Sequence, residues 1–238
     1  MKKMLIAGVA LSFTAISSQV VQAQDSAATL SPVSVGVGID IISGPTLEVS
    51  YPLNGYLTVR GTLSTGWSID EDIQDSDIDY NVESDGAINR LAVDIHPFQN
   101  GFFLSAGYGL SDFKIKPSAS YNNGDSFDVN GTTYTVESAS AGLNGKFDWD
   151  SAPTLSLGWG HSPEQGWGFL FEAGAVFTGS AGVRLDGYGT VSTNGGLVTY
   201  DLADDNNNVI RDEEQNLQDE VKDYDLLPIL RLGATYRF

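Results

Sequence analysis

The sequence predicts an all-β fold, an eight-stranded antiparallel up-and-down transmembrane β-barrel. Three observations predict it. Apolar and polar residues alternate with a period of two in eight separate stretches. The links between those stretches are alternately short and long. The chain closes with "LRLGATYRF", a strand pattern that stops on an aromatic ring.

The strands follow in order. The first sets Val33, Val35, Val37, Ile39 and Ile41 against Ser34, Gly36, Gly38 and Asp40. After a tight Ser43-Gly44-Pro45 turn, the second sets Leu47, Val49 and Tyr51 against Thr46, Glu48 and Ser50. The second is apolar only over Leu47 to Leu53, short for a crossing strand. The third runs from Leu57 through Val59 and Leu63 to Trp67, against Thr58, Arg60, Thr62 and Ser64. Leu91, Val93 and Ile95 oppose Arg90, Ala92 and Asp94 in the fourth. Phe102, Leu104, Ala106 and Tyr108 oppose Phe103, Ser105, Gly107 and Gly109 in the fifth. The sixth carries Leu155, Leu157 and Trp159 opposite Ser156 and Gly158. The seventh carries Trp167, Phe169, Phe171, Ala173, Ala175 and Phe177 opposite Gly168, Glu172 and Gly174. Leu230, Leu232, Ala234, Tyr236 and Phe238 form the eighth.

An even strand number suits an up-and-down barrel, in which outer-membrane proteins join short inner turns to long outer loops. Here "PLNG" (52–55), "HPFQNG" (96–101) and "HSPEQG" (161–166) are short, and polar segments at about 69–85, 116–150 and 179–225 are long. A soluble barrel also alternates, but its apolar face points inward. In this chain the apolar face carries Tyr51, Trp67, Trp159, Trp167, Phe177 and Tyr236 near strand ends, as an interfacial aromatic girdle does. The last strand would pair with the first, so that no backbone edge is left in lipid. Phe238 and Tyr236 then lie at the periplasmic interface. That ending resembles the C-terminal aromatic signal by which the outer-membrane assembly machinery recognises its clients.

Lys2, Lys3, the mainly apolar stretch Met4 to Ile16 and Val21-Gln22-Ala23 predict a signal peptide over 1–23, leaving 24–238 as the barrel. The mature chain then has 10 basic residues against 31 acidic ones, a net charge of −21. Such a surface repels nucleic acid and attracts cations. Cysteine is absent, so an exported chain has no disulfide to lean on.

The stretches "LAVDIHPFQNGFFLSAGYG", "APTLSLGWG", "GWGFLFEAGAVFTGSAGVRL" and "DYDLLPILRLGATYRF" resemble the CarO-type outer-membrane proteins, small carbapenem-resistance-associated barrels of Gram-negative bacteria. The resemblance spans roughly residues 33 to 238 and is clearest in strands four to eight. It implies an eight-stranded barrel proposed to admit small basic amino acids such as ornithine, and carbapenem antibiotics. The terminal residue here is Phe, where relatives can carry Trp, and the acidic loops diverge.

The inward positions supply Asp40, Glu48, Asp94 and Glu172 as acids and Arg60, Arg90 and Arg231 as bases, with Arg237 at the lower rim. Two readings stay open. Buried charges must pair, so these residues form either a plug or a cation-selective track gated by arginines. Between Ile69 and Asp85 lie eight acids and no base, and between Asp201 and Asp225 ten acids against Arg211 and Lys222. That concentration reads as a solvated surface, as a cation-gathering funnel, or as a rim bridged to lipopolysaccharide phosphates by divalent ions.

Ile210, Leu217, Val221 and Tyr224 follow helical spacing after the capping residue Asn208, which predicts a short helix over the mouth. Asn130-Gly131 within "FDVNGTTYTV" predicts a hairpin that raises a small sheet. "DDNNNVIRDEE" has Asp204, Asn206 and Asn208 at alternating positions, but Val209 replaces the turn Gly of a calcium loop and Gln215 its closing Glu. No metal or cofactor is expected. His96 and His161 both fall at the short turns, away from the outer mouth where barrel enzymes keep their catalytic groups, so no enzyme is expected.

The expectation is a monomeric outer-membrane barrel serving as a narrow channel for passive uptake of small cationic or zwitterionic solutes. The alternative is a closed structural or binding barrel acting through its acidic loops. Its expected partners are outer-membrane lipid and lipopolysaccharide, the barrel-assembly machinery and the solutes.

Overall fold

The computed structural model describes residues 33–238, apart from 76–77, 130, 161–164, 194 and 205–207. The expected signal segment 1–23 and His161 lie outside the described residues, as does Asn206 of the weighed calcium pattern. In chain order the first strands are β1 (Ser34–Asp40), β2 (Gly44–Pro52), β3 (Leu57–Ser64), β4 (Ile69–Asp75), β5 (Ile78–Asp85) and β6 (Ile88–Ile95). Then come β7 (Phe102–Ser111), β8 (Lys114–Asn122), β9 (Ser126–Val129), β10 (Thr132–Val136), β11 (Ser140–Asp148) and β12 (Ala152–Trp159). The chain finishes with β13 (Gly166–Val176), β14 (Gly182–Tyr188), β15 (Thr190–Thr193), β16 (Val198–Asp201), helix α1 (Asn208–Val221) and β17 (Leu227–Arg237).

Eight strands close into an antiparallel barrel in the order β1, β17, β13, β12, β7, β6, β3, β2. Closure is made where the sequence places it. β1 and β17 pair from Ser34↔Arg237 to Asp40↔Arg231. Every barrel strand is thereby hydrogen-bonded on both sides, which removes the unpaired edge that lipid would penalise by several kcal/mol per exposed group. The barrel is inside out by the standard of a soluble protein. Val37, Leu63, Leu91, Leu155, Phe169 and Leu232 face outward and are exposed, whereas Glu48, Arg60, Asp94, Glu172 and Arg231 are buried. An apolar belt on that scale is covered by something apolar in a working protein.

Two expectations about strand ends are revised. The third strand stops at Ser64 and does not reach Trp67. Gly66 takes φ 80°, a conformation that Gly adopts without penalty, and turns the chain back. Trp67 then folds over the first hairpin and donates its indole N–H toward Ile41 O at 3.0 Å and Asp40 O at 3.2 Å. The second strand is nine residues, Gly44–Pro52, long enough because Gly44 opens it at φ 71° directly after the turn.

The three long segments are folded. β14, β11, β8, β5 and β4 make one sheet, and β16, β15, β10 and β9 another. Tyr121, Phe127, Val129, Tyr134, Val136, Leu185, Val191, Leu202 and Ile210 form a core shared by these two sheets and α1. Tyr121 stacks on Phe127 with ring centroids 4.5 Å apart. Burial pushes the Tyr121 phenol up to about 12, helped by neighbouring Tyr80, so it stays neutral at physiological pH. α1 covers the edge of β14 through side chains one turn apart. Glu214 Oε2 accepts from Leu185 N, Gln218 Oε1 accepts from Val183 N, and Gln218 Nε2 donates to Ala181 O. The expected hairpin is β9–β10, with Gly131 at φ 74°, and the expected helix begins at Asn208.

Candidate functional site

The site is the interior of the barrel, where side chains at every second position of eight strands converge. Asp40, Glu48, Arg60, Arg90, Asp94, Glu172 and Arg231 meet there, each between 0 and 7% exposed. Glu172, from β13, is the hub. Its carboxylate takes a two-pronged contact from Arg60, Nη1 to Oε2 at 2.6 Å and Nη2 to Oε1 at 3.0 Å. Arg90 Nη1 reaches Oε1 at 3.3 Å, Arg231 Nη1 lies 3.8 Å from Oε2, and Ser156 donates to Oε1 at 2.7 Å.

Arg60, from β3, also donates from Nη2 to Asp94 Oδ1 at 3.0 Å and to Ser105 Oγ at 3.2 Å. Its Nε stands 2.9 Å from Asp94 Oδ2 as an ion contact that is not aligned as a hydrogen bond. The guanidinium lies 5.1 Å above the Phe103 ring, which adds a cation–π contact. Arg231, from β17, donates Nη1 to Glu48 Oε2 at 2.5 Å and Nε to Thr46 Oγ1 at 3.0 Å. Arg90 Nη2 approaches Asp40 Oδ2 at 3.5 Å, while Asp40 Oδ1 accepts from Ile42 N and Ser43 N in the first turn. The geometry is a continuous lattice of charge-assisted contacts across the lumen. Four carboxylates face three guanidiniums, and none of the seven side chains is left to water.

Alternation alone does not reveal the layers on either side of this lattice. Toward the long loops, Ile88, Ala152, Val176, Leu227 and Ile229 turn inward and pack with Phe113 into an apolar stopper. Toward the short links, Phe103 and Leu170 are fully buried beneath the ions. Phe103 fits because its partner on β12 is Gly158, where a Cβ would stand 2.4 Å from Phe103 Cζ. Parity places the barrel-strand members inward without marking them as a separate layer. Stepping back by twos from Arg231 reaches Ile229 and Leu227, from Arg90 reaches Ile88, and from Glu172 reaches Leu170.

His96 is buried at the short-link end. Its Nδ1 lies 3.1 Å from Asn100 O, which only accepts, so Nδ1 donates there, and Nε2 lies 3.3 Å from the Thr58 hydroxyl. The ring ties β3 to the link that follows β6. Arg237 sits at the same rim with Nε donating to Ser34 Oγ at 3.1 Å. Tyr236 stacks edge-on against Trp167 at 5.3 Å and against Phe238 at 5.2 Å, so the terminal aromatics form one cluster on the outer face.

In the outer sheets, two cavities of about 430 and 310 Å³ flank α1 and share Arg211 and Glu214. Among the described residues no group of three or more His, Cys, Asp or Glu side chains is arranged to hold a metal ion.

No protein-family model matches the chain, and no curated protein matches it. Solved structures do. A crystal structure of Acinetobacter baumannii CarO aligns with a TM-score of 0.57 and 21% identity, over 87% of this chain and 98% of that one. Acinetobacter baumannii CarO2 aligns with a TM-score of 0.57 and 19% identity, over 87% and 97%. The chain therefore has a CarO-like fold, a closed eight-stranded antiparallel barrel.

Proposed function

We propose that this chain is an outer-membrane protein whose barrel is closed at rest and serves to hold an acidic, folded platform at the cell surface. The supporting observation is the dry ion lattice, capped by the apolar stopper of Ile88, Val176, Leu227 and Ile229. A solute crossing the barrel would have to separate Glu172 from three guanidiniums and then part that stopper. Breaking buried ion contacts of this kind costs several kcal/mol. The platform is where a partner gains access. It carries most of the acids and would meet divalent cations, lipopolysaccharide phosphates bridged by them, or cationic solutes.

A narrow passage for small cationic solutes is the second reading, favoured by the acid concentration above the lumen. Single-channel conductance in planar bilayers separates the two. The closed reading expects no resolvable steps for the parent or for Glu172→Gln. Steady cation-selective conductance in the parent, reduced in Glu172→Gln, would establish the passage instead.

A further inference from the structure

We infer that the periplasmic half of the lumen is a blind polar vestibule, which admits water and small polar solutes as far as the arginine lattice and no farther. The inference rests on the closed reading above. A cavity of about 170 Å³ opens at the short-link end, walled by Thr58, His96 and Arg237 among others. A water molecule takes up about 30 Å³ of liquid, so this mouth holds several.

Inward side chains recur every two residues, so the rung above the cavity holds Ser50 on β2 and Thr235 on β17. Both are 1% exposed, and neither Ser50 Oγ nor Thr235 Oγ1 has a hydrogen-bond partner in the protein. A buried donor or acceptor left unmade costs about 1–3 kcal/mol. Two of them occur on the two strands that flank β1, with a polar cavity one rung below. Water rising from that cavity satisfies both. Below the lattice Ser50, Thr58 and Thr235 line the interior beside Phe103 and Leu170, whereas above it the inward side chains of the stopper are hydrocarbon and offer water nothing to bond. Access is therefore one-sided, from the end where the links are short.

The chain contains no cysteine, so single thiols report access without background. The full chain carrying Ser50→Cys, Thr235→Cys or Val176→Cys would be reconstituted in lipid vesicles. Its orientation is set by labelling Asn54→Cys at a short link and Tyr224→Cys on the platform side. The probe is the small cation ethyltrimethylammonium methanethiosulfonate. Thiol modification follows access. Ser50→Cys and Thr235→Cys are expected to react on the order of tenfold faster from the Asn54 side than from the Tyr224 side. Val176→Cys is expected to stay unreacted from both. If Ser50→Cys and Thr235→Cys are both inert from either side, the lower lumen is dry and the vestibule is overturned while the closed barrel stands. If they react equally from both sides, the barrel is open and the closed reading falls with the inference. Thr235→Cys stands on a different strand from Ser50→Cys, so a folding defect in one leaves the other to decide.

Discussion

Inside the barrel the buried side chains that meet one another include Arg60, Arg231, Glu48 and Glu172; in the outer sheets they are Phe127, Tyr134, Val136 and Val191. One chain thus builds two cores of opposite chemistry. The difference lies in where each part puts its apolar surface. The outer sheets bury theirs between two layers, as proteins in water do. The barrel turns most of its own outward, so the middle of its interior is held by ion pairing, with hydrocarbon kept to the stopper above and to Phe103 and Leu170 below. A paired ion lattice is a stiff kind of core, because its worth depends on every partner being present.

The largest test of that contrast is Arg60→Met. It leaves Asp94, Glu48 and Glu172 facing one another with a guanidinium removed. The expected loss is about 3–5 kcal/mol, read as a lowered urea midpoint for the heat-dependent gel shift of the folded barrel. A midpoint within experimental scatter of the parent would mean that the lattice does not hold the barrel.

Phe127→Ala should come next, at about 3 kcal/mol for a mostly buried ring. Its signature is different. Proteolysis within 112–151 and 177–226 should speed up while the gel shift of the barrel is unchanged. If the gel shift falls with it, the two cores are one cooperative unit and the comparison collapses.

A smaller effect is expected from Gln218→Ala, which removes the acceptor for Val183 N and the donor to Ala181 O. About 1 kcal/mol of local stability should go, seen as faster amide hydrogen exchange at Val183 with Leu185 still protected by Glu214.

The smallest concerns the exposed ladder of Lys114, Lys116, Glu83 and Asp85, where surface pairs contribute little. Lys116 is raised above its ordinary value chiefly by its hydrogen bond to Glu83, so what it contributes is present below the ordinary lysine range and lost as pH rises through its own higher titration. Asp85 is lowered chiefly by its hydrogen bond with Lys114, so its contribution is present above the ordinary carboxylate range and lost as pH falls through its own lower titration. Between those ranges the platform's thermal midpoint should be flat with pH. A slope across neutral pH would show that other groups carry the platform's charge coupling.

Strand alternation made the barrel legible, because an inward or outward residue follows from parity once one face is known. It named the seven charged residues that converge in the lumen by the same logic. It did not yield the stopper. Leu227 and Ile229 are apolar on an inward parity, and in the sequence they merge with Leu226 and Leu230 into one hydrophobic run whose two faces are indistinguishable. Phe103 was legible as inward, but its place beneath Arg60 depends on Gly158 from another strand, which no local pattern records. The outer sheets were legible only in pieces, a hairpin turn and a helix cap. Their assembly depends on pairings between distant segments such as β10 with β15 and β5 with β8.

The ends of the five-stranded outer sheet bear on how copies coexist at high density. On one flank, β14 offers its backbone to Glu214 and Gln218 of α1, so a neighbour finds those positions already taken. On the other, β4 carries the adjacent acids Asp70 and Glu71 near its start. A second copy approaching that flank would bring the same charges against its own. Sheet margins left bare are set up to pair edge to edge with a neighbouring copy, and here one margin is occupied and the other repels its like.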